Sequence, residues 1–144
     1  MGKDILVTDF LSEQMLAAGV ELVKRLDAAS ADVKAAFWMY LSEEKIWRLI
    51  VASPLVKDKG PRNYYKRIDD ANRCAEKEEE TVSLNDITVS DTNDRLIQLM
   101  KTAISTNDGI SNKRLYRNAI NGVFIEDAHI YRMNLTDTSR NPNR

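Results

Sequence analysis

Two apolar runs, VKAAFWMYL (33–41) and IWRLIVAS (46–53), are joined by the polar stretch SEEK and set the strictest limit on how this chain can fold. β-Branched and aromatic residues dominate both, and a four-residue polar join suits a hairpin. In the first run Val33, Ala35, Phe37, Met39 and Leu41 alternate with Ala36, Trp38 and Tyr40. Both faces are therefore apolar, which places these strands centrally in a sheet, covered on each side. Trp38 and Tyr40 have a second reading as a partner-facing surface, because aromatic residues are enriched at interfaces.

The flanking segments supply the cover. Residues 9–28 put Phe10, Leu11, Met15, Ala18, Leu22 and Leu26 at helical spacing, with Lys24 and Arg25 near the end that the macrodipole favours for cations. Gly19 inside this helix costs about 1 kcal/mol relative to alanine, so close packing is expected there. Pro54 and KDKG predict a loop, and Gly60–Pro61 opens a second helix with Tyr64, Tyr65, Ile68, Ala71 and Cys74–Ala75 as its apolar stripe. The run Glu76–Glu80 reads as a fraying, solvated helix end. A short strand is expected within 83–91. Asp91 or Asn93 then caps a helix whose Leu96, Ile97, Met100 and Ile104 share one face.

Last come KRLYRNAI and VFIEDAHIYRM, joined by Asn121–Gly122. That dipeptide is the strongest short-range hairpin signal in the chain, because a type I′ turn needs positive φ at both central positions. The resulting order is α–β–β–α–β–α–β–β, an α+β fold with a mainly antiparallel sheet and helices packed on it. A single domain over 1–133 and a polar tail over 134–144 are expected.

A two-residue loop fixes register. Ile120 pairs with Val123, Ala119 with Phe124, Asn118 with Ile125, Arg117 with Glu126, Tyr116 with Asp127 and Arg114 with His129. Strict alternation then sets Arg114, Tyr116, Ile120, Ile125, Asp127, His129 and Tyr131 on one face. Leu115, Arg117, Phe124, Glu126, Ala128, Ile130 and Arg132 fall on the other. Glu126 and Asp127 point to opposite sides and cannot form the paired carboxylates of an acid/base site. Glu126 has Arg117 as a cross-strand partner, worth about 0.2–1 kcal/mol. Asp127, His129, Tyr116 and Arg114 form a polar constellation with two readings. It is either a hydrogen-bonded surface patch, or a carboxylate orienting an imidazole beside a guanidinium that holds an anion.

Composition narrows the function classes. The chain has 144 residues, with 21 basic and 22 acidic side chains and a net charge of −1. That balance gives no global attraction to nucleic acid or to anionic membranes. One cysteine cannot form an intramolecular disulfide, and one histidine cannot build a His-rich metal site, so no metal is expected and the setting reads as reducing. Cys74 itself reads as a small core hydrophobe. No run approaches the ~20 apolar residues of a transmembrane helix, and Asp4, Asp9 and Glu13 break any signal-peptide pattern at the start, so a cytoplasmic location is expected. No GxxxxGK[ST] or GxGxxG stretch occurs, and no cofactor is expected.

The second candidate site is VKDKGPRNYYKR. Lys57, Lys59 and Arg62 surround the start of a predicted helix, where free backbone N–H groups and the dipole favour an anion such as a nucleotide phosphate. A solvated helix face explains the same charges, and Asp58, Asp69 and Asp70 dilute them.

The runs AAFWMYLSEEKIWRLIVASPLV, GPRNYYKRI and INGVFIEDAHIYRM, in this order, resemble a family of small hypothetical bacterial proteins. The resemblance spans about residues 33–133. It implies an α+β fold and a bacterial cytoplasmic setting, and it carries no activity and no catalytic residue. The leading expectation is a non-enzymatic interaction protein acting as a homodimer. The alternative is a binding protein or small enzyme for an anionic or nucleotide-like ligand, using Lys57, Lys59, Arg62, Arg114, Tyr116, Asp127 and His129.

Overall fold

A computed structural model describes residues 3–7 and 9–135. Its elements run β1 (Lys3–Asp4), α1 (Glu13–Ala28), β2 (Ala35–Leu41), β3 (Ile46–Ala52), α2 (Pro54–Lys59), α3 (Pro61–Arg73) and β4 (Glu80–Thr81). A 3₁₀ turn at Leu84–Asp86 follows, then β5 (Ile87–Ser90), α4 (Arg95–Ala103), β6 (Lys113–Ile120) and β7 (Val123–Met133). With the short β1, α2 and β4 set aside, this is the expected α–β–β–α–β–α–β–β order in an α+β fold.

The five main strands form one sheet in the order β5-β3-β2-β7-β6. Only β3 and β5 run parallel; the other pairs are antiparallel. β2 and β3 lie inside the sheet, and both their faces are covered. On one side Trp38, Leu49, Val51 and Tyr131 meet Met15, Leu22 and Leu26 of α1 and Tyr64 and Ile68 of α3. On the other, Phe37, Ile50, Ala128, Ile130 and Met133 meet Ile97 and Met100 of α4. Each fully buried side chain of this size contributes roughly 1.5–3 kcal/mol. Trp38 has no exposed surface, so it serves the core rather than a partner.

Caps set several boundaries away from the expected ones. Ser12 Oγ accepts from Met15 N at 3.1 Å, so α1 starts at Glu13 and leaves Asp9–Leu11 ahead of it. The segment after Pro54 is a short helix rather than a loop, because buried Ser53 accepts from Leu55 N and proline suits the first helical position. Asp94, not Asp91 or Asn93, caps α4 through Leu96 N. The acidic run does not fray from α3, which ends at Arg73. Instead Glu80–Thr81 pairs in parallel with Lys3–Asp4. Cys74 is exposed at that helix end, not in the core. Of the expected 134–144 tail, Asn134 N donates to Lys34 O and Leu135 is buried in the α4-side core, while residues 136–144 lie outside the described residues.

The last hairpin keeps its expected register but not its strict alternation. Asn121 and Gly122 have φ of 49° and 83°, as a type I′ turn requires, and Ile120↔Val123, Tyr116↔Asp127 and Arg114↔His129 pair as expected. Arg117, however, has φ of 54° and drops out of the ladder opposite Glu126. Ile125 and Ala128, three residues apart, therefore both enter the α4-side core, as does Ile120. Phe124 is left on the other side. The expected Arg117–Glu126 ion pair does not form among the described residues. A second break is a β-bulge in β7: Ala36 opposes Arg132 while Phe37 opposes Ile130, leaving Tyr131 as the extra residue.

This bulge turns both Tyr131 and Arg132 toward α1. The Tyr131 hydroxyl donates to Leu16 O at 2.7 Å and accepts from Trp38 Nε1 at 3.0 Å. Arg132, 4% exposed, donates to both Asp27 oxygens at 2.9 Å, to Val33 O at 3.2 Å and to Gly109 O at 3.1 Å.

Candidate functional site

The bulged strand β7 positions the polar constellation on the α1 side of the sheet. His129 lies between Trp38 on β2 and Arg114 on β6, and its ring meets Tyr131 edge-on at 5.8 Å. Burial holds the imidazole below its ordinary pKa. The nearby Arg114 charge acts in the same direction and Asp127 opposes both. Asp127 does not orient this ring. Its two oxygens accept from Arg114 Nε at 2.9 Å and Nη2 at 2.7 Å, a bidentate pair running diagonally across the hairpin. The guanidinium also lies 4.7 Å above the Tyr116 ring, within cation–π range.

Chemically, this is an imidazole whose neutral form burial favours, beside an ion pair that cancels its own charge. Arg114 is half exposed, so the pair contributes at most about 1 kcal/mol to stability.

The structure brings Arg114, Tyr116, Asp127 and His129 together but not the other three candidates. Lys57 and Lys59 sit in the last turn of α2, and Arg62 in the first turn of α3, all exposed. Gly60, at φ of 91°, joins the two helices. α3 has no side-chain cap, so the charge pattern there favours anions in a general way, on an open surface. This corner follows Ala52, which pairs with Ala35, which in turn pairs with Met133 at the far end of β7. α3 rests on α1, α2 and β5, whereas the hairpin rests on β2 and α4.

Among the described residues, clefts open elsewhere. One lies between Asp4, Asn72 and Ser83, one between Arg25, Arg67 and Cys74, and one between Asp27, Lys34 and Arg132. None of the seven candidate residues lines them. Among the described residues no group of three His, Cys, Asp or Glu side chains could hold a metal ion, and no helix is long and apolar enough to cross a membrane.

Alternation alone hides one more feature. β7 pairs with β2 only from Ala128 to Met133, so the stretch from Val123 to Asp127 pairs with β6 alone. The hairpin thus ends in a two-stranded arm. α4 covers its Ile120 and Ile125, while Phe124 is 57% exposed, Tyr116 54% and Val123 45%. The backbone turn at Arg117 produces this asymmetry, and the only sequence trace of it is a phenylalanine two residues beyond the Asn121–Gly122 turn. No family model, curated protein or solved structure matches this chain.

Proposed function

We propose that this is a non-catalytic interaction protein of the bacterial cytoplasm, working as a homodimer through the β6–β7 arm. The observation that carries this reading is the exposed side of that arm, where Tyr116 and Phe124 are more than half exposed on a ribbon that α4 supports from the other side. A two-stranded ribbon is marginal in water by itself, and one with a bare aromatic side gains stability from a partner laid against it. Aromatic side chains suit that role because they bury much area for few rotatable bonds. The polar constellation at its base supports contact rather than turnover: Asp127 is committed to Arg114, and among the described residues no carboxylate accepts a hydrogen bond from His129.

The test is sedimentation velocity on the wild type and on Phe124→Ser. The reading expects reversible self-association that weakens about tenfold or more when the ring is lost, as for a central aromatic contact. Self-association that is identical in Phe124→Ser would remove the arm from the interface.

A further inference from the structure

At the root of the exposed arm stand two charges of opposite sign that the fold leaves uncompensated. Arg117 and Glu126 occupy matching positions on β6 and β7, both are exposed, and neither forms an ion pair among the described residues. The reason is local: with φ of 54°, Arg117 leaves the ladder where its cross-strand partner would be reached. Elsewhere on the hairpin Arg114 and Asp127 hold each other in two hydrogen bonds, and the exposed Lys113 stands at the far end of β6, beyond the arm. The arm thus presents the exposed rings of Tyr116 and Phe124 beside one positive and one negative group that are exposed and unpaired among the described residues.

A surface with this arrangement is complementary to itself. In a two-fold contact, whatever one copy offers to position j from position i is returned from j to i. Two arms laid against each other can set Arg117 of each copy against Glu126 of the other, on either side of the packed aromatic rings. A different partner would need to supply both charges in matching places, whereas a second copy supplies them by symmetry.

We infer that the partner of this arm is a second copy of the same chain, held in register by two reciprocal Arg117–Glu126 pairs across a two-fold axis. The inference deepens the homodimer reading above and rests on it. Electrostatic matching of this kind fixes which surfaces meet more than how tightly they bind.

The test uses charge reversal and mixing, read by sedimentation velocity, with circular dichroism to verify that each variant keeps its fold. Arg117→Glu alone opposes two acidic pairs and Glu126→Lys alone opposes two basic pairs. Each should dimerise about tenfold more weakly than the wild type. An equimolar mixture of the two should form a heterodimer about as stable as the wild-type dimer, since every cross-copy pair then joins opposite charges. A pair within one chain predicts no rescue on mixing, so the mixture separates the two arrangements. Should either variant lose its fold, Arg117→Gln and Glu126→Gln replace them; each should weaken the dimer, and an unchanged dimer in both would overturn the inference. A wild-type dimer whose single reversals associate normally, or whose mixture is not rescued, overturns the reciprocal pairing and leaves the homodimer reading standing. A wild type that stays monomeric removes both.

Discussion

Gly19 of α1 lies directly against the ring of Tyr131 on β7: a Cβ at Gly19 would sit 2.7 Å from Cε2 and 2.8 Å from Cζ of that ring. The helix can cross the sheet this closely because the bulge lifts Tyr131 toward it. The ring has no room to retreat, since its hydroxyl is fixed between Leu16 and Trp38. Gly19→Ala should therefore destabilise the fold by about 1–3 kcal/mol through overpacking, despite alanine's better helix propensity. Urea unfolding followed by tryptophan fluorescence measures this, and a stabilised variant would show that the crossing tolerates a methyl group.

The same crossing makes Tyr131→Phe informative. The substitution leaves the buried Trp38 Nε1–H without its acceptor and Leu16 O without this donor, at an expected cost of about 1–3 kcal/mol. Equilibrium denaturation gives the number. A loss below about 0.5 kcal/mol would mean that neighbouring groups or water replace the hydroxyl.

Arg132 joins three segments that are distant in sequence. Asp27 belongs to the end of α1, Val33 to the approach to β2 and Gly109 to the loop before β6. Asp27→Ala would leave a buried guanidinium with two carbonyls and no counter-charge, which should cost about 2 kcal/mol. Faster amide exchange should follow in the 106–111 loop, where Thr106 N bonds Met133 O and Ser111 N bonds Tyr131 O. Exchange that is unchanged there would show that the loop is held without the ion pair.

His129 should confer a specific pH dependence. Its folded pKa is depressed below the ordinary value near 6.5, so below that pH the unfolded chain binds the proton more readily than the folded one. The contribution of His129 is complete above about pH 6.5. It declines as pH falls toward the lower folded value. The causes can be separated by NMR titration. Arg114→Met should raise the His129 midpoint by removing a repelling charge, and Asp127→Asn should lower it by removing an attracting one. Shifts of the opposite sign would refute this electrostatic account.

Much of this fold was legible because local signals were strong. Asn121–Gly122 set the turn and the register, and the two-sided apolarity of residues 33–41 correctly implied a strand covered on both faces. The misses share a cause: single backbone angles and short tertiary pairings leave little periodic trace. Nothing in KRLYRNAI marks Arg117 for positive φ, yet that one residue returns Ile120 and Ile125 to the core and exposes Phe124. The Tyr131 bulge likewise moved Arg132 from the face of Ala128 and Ile130, where alternation set it, to the α1 side. The two-residue strands β1 and β4 are too short for a pattern to reveal them. Of the candidate site, register predicted that Arg114, Tyr116, Asp127 and His129 would cluster. It could not show that the Asp127 carboxylate would face Arg114 instead of the imidazole.

The most direct measurement is the molar mass of the wild-type protein in solution, by size-exclusion chromatography with light scattering across micromolar concentrations. Self-association through the arm predicts a mass that rises toward twice the 16.4 kDa of one chain as concentration increases. A constant 16.4 kDa over the whole range would contradict it.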